Sequence, residues 1–152
     1  MPVIVEGPCD ALTVNLAQLD SPQAVAAVAP CGTALTRTQA SLLARFCQAR
    51  VLVAYDADPA GQRASAAAYE VLAPLFDQLR SVVLPEGCDP AALLQTGGPR
   101  ALRDALSRDR PLADTAVDQG LRYWLPKREN ADARAQPSTS SPSPSPDSAR
   151  TT

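Results

Sequence analysis

Acidic side chains follow the apolar runs of this sequence closely. Glu6 comes directly after the run VIV, and Asp56 and Asp58 come directly after the run VLVAY. Asp89 stands a few residues after a further run, SVVL. Asp56 and Asp58 are two apart on extended chain, so their side chains leave on the same side. Carboxylates held close together repel one another unless a cation lies between them, and Mg²⁺ prefers such oxygen ligands. The pattern predicts a site for Mg²⁺, with Mn²⁺ as the alternative ion.

The remaining side chains that bind metals argue against a zinc site. The sequence has no histidine, and its four cysteines are scattered without a C-x-x-C pair. Structural zinc sites need such ligands at close spacing. The cysteines are therefore expected to be small buried thiols of a cytoplasmic protein.

Strand-like and helix-like segments alternate along the chain. The order β-α-β-α-β-α-β-α predicts an α/β fold of the Rossmann-like kind, in which helices flank a mostly parallel sheet of about four strands. In such a sheet the functional crevice lies beyond the carboxyl ends of the strands, where the acidic residues stand. The predicted strands are residues 3–5, 24–29, 51–55 and 81–84. The predicted helices are residues 11–19, 38–49, 59–76, 90–95, 99–107 and 112–125, with Pro74 as a possible early end of the third.

Several of these acids have a second interpretation as helix caps. Asp58 and Asp89 are each followed by proline, and Asp-Pro is a common way to begin a helix. Asp10 is interpreted either as the N-cap of the helix 11–19 or as a site residue. A cap at Asp58 does not need Asp56, so the capping interpretation does not account for all the acids.

Two glycines and one arginine complete the set of candidate site residues. Gly7 allows a tight turn after the first strand, and Gly61 leaves room for a close approach of backbone or phosphate. Arg63 lies one turn into the helix after DADPAG and is a candidate phosphate contact. Gly7, Gly61 and Arg63, together with Asp10, are therefore predicted to bind substrate.

The composition divides the 152-residue chain into a folded part and a tail. Residues 1–126 have the apolar content of a single domain with a helical C-terminal extension. Residues 127–152 are rich in Ser and Pro and offer little apolar area to bury, so they are predicted to be disordered. No stretch has the length and apolarity of a membrane span, and no membrane association is expected.

Four segments, in this order and spacing, resemble the TOPRIM domain of bacterial DnaG-type primases. They are VIVEGPCDAL, APCGTALTRTQASLL, VLVAYDADPAGQRASAAAYEVL and VVLPEGCDPAALL. The later segment GGPRALRDALSRDRPLAD is also similar to the segment after the domain in those primases. The resemblance covers about residues 3–115. One departure is that Ala91 and Ala92 stand where the family usually carries further acids.

The resemblance assigns a role to each matching residue. It implies that Glu6 is a metal ligand or general acid/base, and that Asp56 and Asp58 are the metal ligands of the D-x-D motif. Asp89 matches the first acid of the family's G-x-D-P segment and is a further metal ligand. Asp10 matches the aspartate after the E-G motif, and Gly32 and Thr33 match a turn near the site.

The implied function is Mg²⁺-dependent nucleotidyl transfer, namely RNA primer synthesis in DNA replication or in plasmid or phage DNA metabolism. The alternatives are a TOPRIM nuclease and a non-catalytic accessory module that docks on a replication or DNA-transfer protein. The net charge is −2, whereas domains that bind nucleic acid unaided are usually basic. Nucleic acid and NTP are therefore expected to bind through metal. A protein partner or a missing N-terminal part is expected to supply a basic template surface.

Overall fold

The structure is a computed structural model that describes residues 1–22, 25–32 and 34–121. Strands and helices alternate, as the sequence predicts. The strands are β1 (Pro2–Ile4), β2 (Ala26–Val28), β3 (Arg50–Val53), β4 (Gln78–Val82) and β5 (Asp109–Pro111). The helices are α1 (Pro8–Ala17), α2 (Arg37–Ala44), α3 (Pro59–Leu72), α4 (Pro90–Leu106) and α5 (residues 112–121).

The five strands form one sheet in the order β2-β1-β3-β4-β5. The first four strands are parallel, and β5 pairs antiparallel with β4. The predicted α/β fold with a mostly parallel sheet is confirmed. The prediction of about four strands omitted β5, because the three residues Asp-Arg-Pro carry no apolar run that would mark a strand.

Each side of the sheet carries its own core, because alternate residues of a strand face opposite sides. Val3, Val5 and Leu52 belong to a cluster that includes Val14 of α1 and Leu102 of α4. The residues between them, including Ile4 and Val53, belong to a second cluster on the side of α2, α3 and α5. The sheet is thus buried on both faces, which fixes the position of the strand ends.

Most helix boundaries follow local capping chemistry. Asp58 and Asp89 cap α3 and α4 as predicted, and α3 ends at Leu72, before Pro74. The predicted helices 90–95 and 99–107 are the two halves of α4, which is interrupted by the non-helical backbone of Gly98 at φ 70°. Three boundary predictions are wrong: α2 ends at Ala44 and not at residue 49, β4 is Gln78–Val82 and not residues 81–84, and α1 starts earlier than predicted.

The N-cap of α1 is Gly7 and not Asp10. Pro8 fits the first helical position, where no amide hydrogen is needed, so the helix begins three residues earlier than predicted. Asp10 instead lies at the third helical position, and its carboxylate accepts a hydrogen bond from the amide of Gly7 at 3.3 Å. Asp10 therefore holds the turn that follows β1 from inside the helix.

The strand order changes direction next to β1. The chain passes from β1 to its neighbour β2, and then places β3 on the other side of β1. In open α/β sheets, ligands bind at such a switch point, outside the carboxyl ends of the strands. Glu6 follows β1 and Asp56 follows β3, so the fold brings these two acids to the two sides of the switch point.

The side chain of Asn15 covers the outer edge of β2. Its amide group donates to the carbonyl oxygen of Ala27 at 3.2 Å and accepts from the amide of Ala27 at 2.9 Å. These two bonds replace the ones that a neighbouring strand would make. An edge covered in this way is protected from pairing with another chain.

No helix within the part of the chain that the structure describes has the length and apolar character needed to cross a membrane. The predicted domain boundary at residue 127 and the predicted tail lie outside the described residues. The prediction that the cysteines are buried is wrong, since Cys9 and Cys31 are exposed and Cys47 and Cys88 are partly buried.

One carboxylate joins three strands. The Asp109 side chain of β5, only 7% exposed, pairs with Arg50 of β3 and with Arg80 of β4. The two arginine side chains are partly exposed, so water would compensate part of the loss if their buried partner were removed. This network ties β5 to the parallel strands.

Replacing Asp109 with alanine should lower the free energy of unfolding by about 2 kcal/mol, because two partly exposed arginines would lose a shared buried partner. Denaturant unfolding measures the change. Asp118→Ala is the matched control, since Asp118 pairs with Arg110 at 3.3 Å on the surface, where such a pair contributes under about 0.5 kcal/mol. Equal losses in the two variants would contradict a structural role for the Asp109 network.

Candidate functional site

A cleft of about 540 Å³ opens at the switch point. Three acidic residues line it, and no basic residue is among its lining. The lining residues are Glu6, Gly7, Asp10, Pro30, Gly32, Ala34, Leu35, Tyr55, Asp56, Ala60, Ala64 and Ala67. This acidic cleft lies where the sequence predicts the functional crevice.

A hydrogen bond across the two central strands fixes the position of Glu6. Its Oε1 atom accepts from the backbone amide of Asp56 at 3.1 Å. Gly61, in the first turn of α3, packs against this pair. A Cβ atom built on Gly61 would lie 2.3 Å from the carbonyl oxygen of Asp56 and 2.8 Å from Oε1 of Glu6. Glycine is therefore required at this position for backbone contact, which is one of the two reasons that the sequence suggested.

The two aspartates that precede a proline, Asp58 and Asp89, place further negative charge around the cleft. Asp58 accepts from the amide of Gly61 at 2.7 Å, and Asp89 accepts from the amide of Ala92 at 2.6 Å. Each bond uses a single carboxylate oxygen and caps the start of a helix. Both capping interpretations are thus confirmed. The second carboxylate oxygen of Asp58 and of Asp89 does not take part in capping.

Asp56 is the acid whose pKa is affected by all of these neighbouring charges. Burial, followed by the negative charges of neighbouring carboxylates, raises the pKa of Asp56 to about 6; these neighbours are Glu6, Asp10, Asp89 and Asp58. The pKa of Asp10 is also raised, mainly by burial and further by the charge of Asp89. Burial and the charge of Glu6 raise the pKa of Tyr55 to about 12. The cleft therefore has an excess of negative charge that a cation would neutralise.

The donor chemistry of the cleft fits Mg²⁺, but not as a closed cage. Within the described residues, no three Asp, Glu, Cys or His side chains are close enough to hold a metal ion together. Mg²⁺ usually keeps several waters and takes one or two carboxylates with substrate phosphates. Glu6, Asp58 and Asp89 each have one carboxylate oxygen bonded to backbone, so the other oxygen fits this open kind of binding. The metal roles of Glu6, Asp56, Asp58 and Asp89 stay predictions.

The other predicted site residues are divided between the cleft and the surface. Gly7 and Gly32 line the cleft, whereas Arg63 is exposed on α3 and is absent from the lining. Thr33 lies outside the described residues. The sequence analysis missed Tyr55 as a lining residue. Its place directly before Asp56 is the signal that could have identified it, because the residue before a strand-end acid is held at the same edge.

Comparisons with known proteins give a consistent result. Residues 3–94 match the model of a family described as Toprim-like. The DNA primase of Aquifex aeolicus is 38% identical over 90 residues, which are 59% of this chain and 18% of that primase. The chain therefore spans less than a fifth of the length of this relative.

Solved structures show the same likeness. The RNA polymerase domain of Mycobacterium tuberculosis primase DnaG superposes with a TM-score of 0.67 at 31% identity, covering 79% of this chain and 39% of that domain. A DnaG primase catalytic domain bound to single-stranded DNA gives a TM-score of 0.63 at 31% identity, covering 79% of this chain and 37% of that one.

Replacing Gly61 with alanine should lower the free energy of unfolding by about 3 kcal/mol, because the methyl group would overlap the backbone of Asp56. Gly120→Ala is the matched control. A Cβ atom on Gly120 meets nothing within 4 Å, and alanine in a helix is expected to stabilise by about 0.5 kcal/mol. Denaturant unfolding of both variants gives the two values. A Gly61→Ala variant as stable as the wild type would contradict the described packing.

The pH dependence of stability tests the charge on Asp56. Since the folded protein binds the Asp56 proton more tightly than the unfolded chain, ionisation costs stability as the pH rises from about 4 to about 6. In metal-free buffer, Asp56→Asn should therefore be more stable than the wild type at about pH 7.5, by about 1 kcal/mol after allowance for solvent screening. The gain should vanish near pH 4. A variant that is less stable at about pH 7.5, or equally stabilised at both pH values, would contradict this account.

Proposed function

Because the chain belongs to the Toprim-like family and is a TOPRIM domain of the DnaG-type primase, we propose that it serves Mg²⁺-dependent nucleotidyl transfer in RNA primer synthesis. The premise rests on the matched residues 3–94 and on the similarity to DNA primases. The reaction, the metal and the roles of the individual residues belong to the proposal.

The observation that carries the proposal is a cleft lined by Glu6, Asp10 and Asp56 with no basic residue in its lining. The raised pKa of Asp56, about 6, agrees with this crowding of acids. Nucleotide phosphates would be repelled by these carboxylates if both approached without a counter-ion. A divalent cation held by these acids would remove the conflict, because its charge would balance both the carboxylates and the phosphates. The same acids that destabilise the metal-free cleft would then bind the substrate through the ion.

Different residues of the chain would bind the ion, transfer the proton and shape the cleft. Bound Mg²⁺ would supply electrostatic stabilisation of the charge that develops on the phosphates. The ion would take one or two of the carboxylates of Asp56, Asp58 and Asp89, and waters and substrate phosphates would supply its other ligands. Glu6 is oriented by its bond to the Asp56 amide, so its other oxygen would accept a proton or bind the ion. Gly7, Asp10 and Gly61 would shape the cleft around the substrate.

The proposal includes a nucleic-acid surface from outside the acidic cleft. The chain spans 18% of the A. aeolicus primase and 37% of the catalytic domain that was solved with single-stranded DNA. Neutralisation of phosphates by basic residues dominates affinity for nucleic acid, and the lining of the acidic cleft provides none. A partner, or protein segments beyond the described residues, would therefore hold the template.

Primer synthesis assays test the proposed activity. The chain is incubated with single-stranded DNA, NTPs and Mg²⁺, and Asp56→Asn is compared with Asp104→Asn, whose acid is exposed on α4. Because the template surface is proposed to come from elsewhere, single-stranded DNA is supplied in large excess to offset weak template binding. We then expect oligoribonucleotides with the wild type and with Asp104→Asn, and at least a hundredfold loss with Asp56→Asn, on the order of an electrostatic contribution to catalysis. Shortened DNA would indicate the nuclease instead. Mg²⁺ binding without any product would favour the accessory module.

A further inference from the structure

A second, smaller cleft lies on the other side of Asp56, over β4 and between α3 and α5. Its volume is about 260 Å³. Buried hydroxyl-bearing residues from the three elements line it: Ser65 of α3, Ser81 of β4 and Thr115 of α5, with exposed fractions of 5%, 8% and 3%. We call it the hydroxyl cleft. Neither the family resemblance nor the proposed metal site gives it a role.

The unpaired hydroxyl of Thr115 indicates that the hydroxyl cleft binds a ligand. Its Oγ1 atom is buried and has no hydrogen-bond partner among the described residues. A buried polar group without a partner costs on the order of 1–3 kcal/mol, and such groups are rare unless water or a ligand satisfies them. The residue stands on the wall of a cleft, where a bound molecule could reach it after a small adjustment.

The size and position of the hydroxyl cleft indicate that it receives part of a larger ligand. Pockets for whole small molecules usually measure roughly 300–1,000 Å³, so the acidic cleft at about 540 Å³ is within this range and the hydroxyl cleft at about 260 Å³ is below it. Tyr55 and Asp56 line both clefts. A ligand with phosphates in the acidic cleft would therefore extend past Asp56 into the hydroxyl cleft. In a nucleotide, the group next to the phosphates is the pentose.

The charges of the hydroxyl cleft favour a neutral group over a phosphate. The cation in its lining, Arg110, already pairs with Asp118 at 3.3 Å. The acid in its lining, Asp56, would repel an anion that arrives without a metal ion. Serine and threonine hydroxyls both donate and accept hydrogen bonds, which suits the hydroxyls of a sugar.

We propose that the hydroxyl cleft is a sugar subsite that selects ribonucleotides over deoxyribonucleotides through hydrogen bonds from Ser81 and Thr115 to the ribose 2′-hydroxyl. The inference rests on the proposed function, because it assigns the substrate's pentose to this side of the same site. A site that hydrogen-bonds a substrate hydroxyl discriminates against the analogue that lacks it, since the site's own polar groups then stay unpaired.

The test uses the sugar without phosphate or metal, so that its outcome does not depend on the Mg²⁺ site and no anion has to approach Asp56. The full chain in EDTA is titrated with methyl riboside and with methyl 2-deoxyriboside, which are both neutral, and backbone amide shifts are followed by NMR. We expect methyl riboside to shift the amides of Ser65, Ser81 and Thr115, and to bind roughly three- to tenfold more tightly than the deoxy sugar, which corresponds to one neutral hydrogen bond. Thr115→Val and Ser81→Ala should each reduce that ratio towards one.

Thr96→Val is the matched control, because the Thr96 hydroxyl donates to the carbonyl of Ala92 in its own helix and lies outside the lining of the hydroxyl cleft. It should keep the wild-type ratio. Thr115→Val should also unfold at a higher temperature than the wild type, since it removes an unpaired buried hydroxyl, and this shows that the variant folds. Shifts centred elsewhere, equal affinities for the two sugars, a ratio that survives in both variants, or no binding of methyl riboside would overturn the proposal.

A second titration, with ATP and Mg²⁺, separates this inference from the proposed function. Shifts of the Glu6 and Asp56 amides without sugar selection would leave the metal-dependent function in place and overturn the sugar subsite. Sugar selection in EDTA without any response to ATP and Mg²⁺ at Glu6 and Asp56 would support the subsite and count against the metal-dependent function.

Discussion

Repulsion among carboxylates around Asp56 is the constraint on which the site depends. Burial and four neighbouring acids raise the pKa of Asp56 to about 6. An arrangement that destabilises the folded protein in this way is typical of functional sites, where the conflict is resolved by a ligand. The topology makes the conflict unavoidable, because β1 and β3 are neighbours with their carboxyl ends at one edge.

The rest of the fold holds these charges together against their repulsion. The amide of Asp56 binds Glu6, and Gly61 permits α3 to pack directly on that pair. Asp58 and Asp89 stand at the starts of α3 and α4, where free amides and the helix dipole favour negative charge. Two apolar cores bury the sheet on both faces. The fold thus supplies the frame in which the cation of the proposed function would balance these charges.

The sequence predicted the features that depend on local pattern. Alternating apolar segments gave the parallel strands, and the Asp-Pro pairs gave the starts of α3 and α4, because these signals lie within a few residues. The antiparallel β5 was missed, since its pairing depends on Asp109 meeting Arg50 and Arg80 from distant parts of the chain. The start of α1 was misplaced because Pro8 and Asp10 both suit a helix start and only the folded turn decides between them. The hydroxyl cleft is lined by residues of three elements that are far apart in the chain, so no spacing in the sequence predicts it.

The most direct test of the central claim is the pKa of the Asp56 carboxyl, measured by carbon-detected NMR with and without Mg²⁺. The account predicts a pKa of about 6 in EDTA and a fall of the pKa below its ordinary range of about 4 at saturating Mg²⁺, because the cation favours the ionised form. A pKa near 4 in EDTA would contradict the described crowding of charge. A raised pKa that Mg²⁺ leaves unchanged would contradict the metal site.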